Sequence, residues 1–64
     1  MDFSVGDRVM IVDAFGYEGK FIGATGTITY IEEDTIEKEL LYKVLFDDTD
    51  LGLFFFAEEL NKIN

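Results

Sequence analysis

The chain has 64 residues, with no cysteine and no histidine, and carries 14 acidic against 5 basic residues for a net charge of -9. That length predicts one domain spanning 1–64, near the lower limit at which an apolar core folds without disulfides or metal. The missing residue types exclude disulfides, thiolate metal sites and histidine as general base or zinc ligand, and the charge opposes phosphate backbones and anionic membranes.

Apolar content offsets the small size. Hydrophobic residues make up 48% of the chain and aromatics 16%, with seven Phe and three Tyr. Burying one large apolar side chain contributes roughly 1.5–3 kcal/mol, so a core of this composition can hold a short chain together. No apolar run approaches the roughly 20 residues that span a bilayer. Met1-Asp2-Phe3-Ser4 lacks the basic and apolar regions of a signal peptide, so the expectation is a soluble, cytoplasmic protein.

Val5-Gly6-Asp7-Arg8 is a turn signal, and Val9-Met10-Ile11-Val12 after it is short and β-branched, which predicts a strand. Val9 and Ile11 share one face; Arg8, Met10 and Val12 share the other. Gly16, Gly19 and Gly23 break up the segment from Phe15 to Thr25 and predict a long loop whose aromatics fold back on the core. Gly26 to Ile31 is the second strand. Alternation places Ile28 and Tyr30 inward, and Ile31 breaks that alternation, which predicts a bulge or a strand covered on both sides.

The acidic stretch Glu32–Glu39 predicts a solvated hairpin loop. Leu40–Phe46 alternates, with Tyr42, Val44 and Phe46 on one face and Leu41, Lys43 and Leu45 on the other. Asp47-Asp48-Thr49-Asp50 and Gly52 supply turn chemistry, Leu53–Phe56 a fourth strand, and Ala57–Leu60 a single 3-10 turn. Asn61–Asn64 leaves room for a closing strand. Four to five short antiparallel strands joined by turns predict a small all-β barrel with one 3-10 turn before the last strand.

Gly6-Asp7-Arg8-Val9-x-Ile11, Gly23-x-x-Gly26-Thr27-Ile28, Tyr42-x-Val44-x-Phe46-Asp47-Asp48 and Phe56-x-x-x-Leu60 together resemble the small SH3-like barrels of bacterial and phage proteins. The first half looks like a KOW motif, which implies contact with RNA or with the transcription and translation machinery. The end, Phe56-Ala57-Glu58-Glu59-Leu60, is similar to that of photosystem I subunit IV. The nitrile hydratase β-subunit and the ferredoxin–thioredoxin reductase variable chain have similar barrels. KOW domains that bind RNA are basic, whereas the glycine loop here sets Lys20 beside Glu18. The resemblance therefore implies a binding module rather than one partner.

Candidate chemistry is sparse. Asp47, Asp48 and Asp50 lack the spacing of a calcium loop and predict a plain turn. Glu58 and Glu59 are adjacent and point apart, so they do not form a catalytic carboxylate pair. No phosphate-binding glycine loop occurs. Neither an enzyme nor a cofactor or metal site is expected.

If Tyr42, Val44, Phe46, Phe54, Phe56 and Leu60 fill the barrel, then Met10, Leu41, Leu45, Leu53 and Phe55 lie on outer faces. That set, with Tyr17 from the loop, is the predicted partner-binding surface, unless the last strand and the Phe15–Ile22 loop cover it. The expected function is a non-enzymatic protein–protein interaction module, an acidic adaptor whose partner is another protein with a basic surface or a second copy of the chain. In a compact genome such as a phage's, it would occupy a basic, nucleic-acid-binding surface on a host protein. The alternative is a KOW-like contact with RNA, which needs Arg8, Lys20 or Lys43 on one face.

Overall fold

The computed structural model describes residues 3–17 and 19–64. It contains five strands: β1 (Arg8–Ile11), β2 (Thr25–Asp34), β3 (Glu39–Phe46), β4 (Gly52–Phe56) and β5 (Leu60–Lys62), with one 3-10 turn, η1 (Ala57–Glu59), between the last two. All pairings are antiparallel, and the strands form one sheet in the order β4-β3-β2-β1-β5. No helix among the described residues is long and apolar enough to cross a membrane.

The connection from β4 to β5 forces the sheet to close. These strands are its two edges, yet only the three residues of η1 separate them. At a 3-10 rise of about 2 Å per residue, the edges must come within about 6 Å along that path, and a flat sheet cannot do this. The sheet therefore curls into a barrel, as the strand pattern predicts. Val12 and Asp13, just past β1, donate backbone hydrogen bonds to the carbonyl oxygen of Glu59 at 2.8 and 3.3 Å and tie the turn to the barrel wall.

The interior holds Phe3, Val9, Ile11, Ala14, Ile28, Tyr42, Val44, Phe46, Phe55 and Leu60. Two cross-strand rungs organise it: Ile28, Val44 and Leu53 form one, and Ile31, Tyr42 and Phe55 the other. Gly26 permits the close approach of β2 and β3, since a Cβ there would sit 2.5 Å from the carbonyl oxygen of Leu45 and 2.6 Å from Val44 Cγ1.

Of the two outcomes expected at Ile31, a bulge or a strand covered on both sides, the structure has the bulge, and it changes the phase of β2. The register shifts between Ile28 and Tyr30, so Ile28 and Ile31 both point inward and Tyr30 points out. This corrects the inward placement of Tyr30. The extra residue in the bulge moves every later side chain to the opposite face.

The β4 assignments are reversed as well. Phe55 is completely buried and Leu53 packs against the core, whereas Phe54 and Phe56 are half-buried on the outer face. Phe55 stands opposite Tyr42 and Phe54 opposite Lys43, so the phase of β3 dictates that of β4. Leu53 and Phe55 therefore serve the core instead of forming an outer surface.

Candidate interaction surfaces

Of the residues predicted to meet a partner, Leu41 and Leu45 point outward on β3, Leu41 half-buried and Leu45 exposed. Met10 is half-buried on the outer side of β1, between Thr25 and Asn61. These three do not converge with Leu53 and Phe55. Sheet pairing instead brings together two outer rungs that the sequence pattern misses: Tyr30, Lys43 and Phe54, and beside it Glu32, Leu41 and Phe56. Tyr30 packs edge-to-face on Phe54 with centroids 6.3 Å apart, and the Lys43 ammonium lies 6.0 Å from the Phe54 ring. Lys43 reaches that ring across Gly52, where a Cβ would stand 2.8 Å from Lys43 Cε. Tyr30 remains 51% exposed, so the strip is open to solvent.

The strip leads into the β2–β3 hairpin. Both strands extend beyond the predicted ends, leaving Thr35–Lys38 as the turn. Asp34 Oδ1 accepts hydrogen bonds from the amides of Ile36 and Glu37, and Lys38 adopts the left-handed conformation with φ 58°. Glu32, Glu33, Asp34, Glu37 and Glu39 outnumber Lys38 in this hairpin, and Ile36 at its tip is 89% exposed.

Tyr17 has a structural position. Its ring packs on Phe21 and Phe55 with centroid distances of 5.7 and 5.2 Å, and its hydroxyl donates to the carbonyl oxygen of Phe54 at 3.2 Å. Glu59 complements it. One carboxylate oxygen accepts from the Phe56 amide and the other from the Phe15 amide, both at 2.7 Å. Tyr17 and Glu59 thus satisfy the Phe54 carbonyl and the Phe56 amide on the free edge of β4 and fasten the long loop there. The fold-back predicted for the loop is divided: Tyr17 and Phe21 pack on the core, while Phe15 and Ile22 are exposed. Glu18 lies outside the described residues.

On the far side, the turn between β3 and β4 approaches the end of the same loop. Phe21 stacks on Phe46 with ring planes at 13° and centroids 5.2 Å apart. With Ala24, Thr25, Leu51, Asp48 and Thr49 they line an open, mainly apolar cleft of about 170 Å³. The adjacent aspartates Asp47 and Asp48 differ sharply. Asp47 accepts both Nη groups of Arg8, one at 2.7 Å, and the Thr25 hydroxyl, also at 2.7 Å. The hydrogen bond from Arg8, followed by that from Thr25, lowers its pKa to about 2. Among the described residues nothing donates to the Asp48 carboxylate. Nor is any group of three or more acidic side chains among them placed to hold a metal ion.

The fold and these surfaces define a small all-β protein with an aromatic outer strip and a separate apolar cleft. Set against family models, curated proteins and solved structures, the chain matches no family, no curated protein and no solved structure.

Proposed function

We propose that the protein is a non-enzymatic protein–protein interaction module, an acidic SH3-like adaptor that docks a basic partner on the outer face of β2, β3 and β4. The observation that carries this reading is the Tyr30–Phe54–Phe56–Leu41 strip bordered by an acidic hairpin with Ile36 at its tip. Aromatics on a rigid sheet supply desolvated contact area at low entropic cost. The acidic hairpin supplies attraction that accelerates encounter and selects partners of opposite charge. A partner copy of this chain would bring a second net charge of -9, so a basic protein is favoured over self-association.

The RNA-binding alternative has fewer cations to draw on. Arg8 is engaged by Asp47, Lys62 lies 3.6 Å from Asp7, and Lys43 is held over Phe54.

A lysine- and leucine-rich amphipathic peptide of net positive charge tests the docking face, with affinity measured across a salt series. Tyr30→Ser with Phe54→Ser is expected to reduce affinity about tenfold or more while circular dichroism stays native. Unchanged affinity in a folded double variant overturns the reading. So does a low-salt mobility shift of RNA accompanied by no binding of the peptide.

A further inference from the structure

The cleft between the long loop and the β3–β4 turn is separate from the docking face, and the two aspartates of that turn differ in what they hold. Asp47 is saturated: Arg8 occupies both carboxylate oxygens and Thr25 adds a third hydrogen bond. Asp48, its neighbour, lines the cleft without a donor among the described residues. The Phe21–Phe46 stack, Ala24, Thr25, Thr49 and Leu51 line the rest of the cleft, with the Thr49 hydroxyl accepting from the Leu51 amide at 3.0 Å. Outside the cleft lining, the Lys20 ammonium stands 5.4 Å from the Phe21 centroid, so this ring already meets a cation.

We propose that this cleft takes one arginine side chain of the basic partner, its methylene stem against the apolar lining of Phe21, Ala24, Phe46 and Leu51 and its guanidinium on Asp48. The inference rests on the reading of the protein as a module for basic partners and names the residue type that a second, independent site would recognise. Volume and polarity agree. A cavity of about 150 Å³ lined by apolar side chains admits a benzene-sized group, and a guanidinium with its stem is of that order. Arginine fits better than lysine, because its planar, weakly hydrated head bonds a carboxylate through two donors. The Arg8–Asp47 pair shows the same chemistry one residue away.

The probe is N-acetyl-arginine N-methylamide, titrated into the isotope-labelled protein and followed by amide chemical shifts. Its citrulline counterpart, of the same shape but neutral, is the control. Saturable shifts centred on Phe21, Ala24, Phe46 and Leu51 are expected, with a dissociation constant on the order of 1 mM. The citrulline compound should bind about tenfold more weakly, as befits a lost charge-assisted contact. Asp48→Asn should abolish the difference between the two probes. Asp50→Asn, a change of equal charge outside the cleft, should preserve it. Equal binding of the two probes, shifts spread over the acidic surface, or equal sensitivity to Asp48→Asn and Asp50→Asn would each overturn the proposal. Phe54→Ser separates the two readings, since it removes an aromatic of the docking face and should leave the arginine titration unchanged. Arginine binding absent while the amphipathic peptide still requires Tyr30 and Phe54 defeats the cleft alone. The converse result defeats the docking face alone.

Discussion

The inner and outer faces of β4 are built from the same residue type in consecutive positions, and they perform different work. Phe55 stands opposite Tyr42 and packs on Tyr17 and Phe46, without exposure. Phe54 and Phe56, on either side of it, are half-covered by Lys43, Tyr30 and Leu41 and keep part of their surface in water. Identity of side chain therefore says little about role here; the cross-strand partner decides it. Truncating the inner ring is the most severe way to break that contrast. Phe55→Ala is expected to cost about 3–5 kcal/mol, comparable with the whole stability of so short a domain at about 0.05–0.15 kcal/mol per residue. Phe54→Ala should cost about 1 kcal/mol, in line with an ordinary partly exposed substitution. Chemical denaturation of the two variants measures the gap, and equal losses would mean that the two faces are energetically alike.

A second pair of neighbours sharpens the contrast with polar groups. Glu59 is buried and serves two backbone amides, whereas Glu58 is exposed. A buried N–H stripped of its acceptor costs about 1–3 kcal/mol. Glu59→Gln retains one acceptor oxygen but turns an NH2 toward the other amide, so a loss of about 2–3 kcal/mol is expected. Glu58→Gln should change stability by less than about 0.5 kcal/mol. Hydrogen exchange offers a local readout as well. The Phe15 and Phe56 amides should lose protection in the first variant and keep it in the second.

These contrasts mark where the sequence is readable. The strands announce themselves through β-branched and aromatic runs punctuated by glycine and aspartate, and the 3-10 turn through its brevity. The bulge is legible too, because Ile31 follows Tyr30 where alternation demands a polar residue. The phase of β4 is not. Leu53-Phe54-Phe55-Phe56 offers no polar residue to set the alternation, so only pairing with β3 fixes which rings turn inward. The outer strip is hidden for the same reason, since it depends on the β4 phase and on the shift at the β2 bulge together. The cleft was out of reach because two segments more than twenty residues apart in sequence build it, and nothing local in Phe21 or Asp48 signals the other. Glu59 left a fainter trace: an acid three residues after Phe56, at the spacing from which a carboxylate can reach back to the amide that opens a turn.

The mildest contrast lies between Asp47 and its neighbours, and pH exposes it. Hydrogen bonds from Arg8 and Thr25 hold the Asp47 carboxyl at about 2, below its ordinary 3.8. The folded state therefore binds this proton less readily than the unfolded chain. Between those two values the unfolded state carries more protons, so stability from this group rises with pH. Its contribution is complete above about pH 4 and is lost as pH falls through about 2. Exposure and salt screening keep the effect small, which makes a difference measurement necessary. Comparing wild type with Asp47→Asn isolates the contribution of this one group. Melting temperatures recorded from pH 5 to pH 2 should fall more steeply for the wild type, the two curves converging at the acidic end. Raising the salt concentration should narrow their separation at pH 5, because the Arg8–Asp47 pair lies at the surface. Parallel curves across that range would show that the Arg8–Asp47 pair contributes no pH-dependent stability.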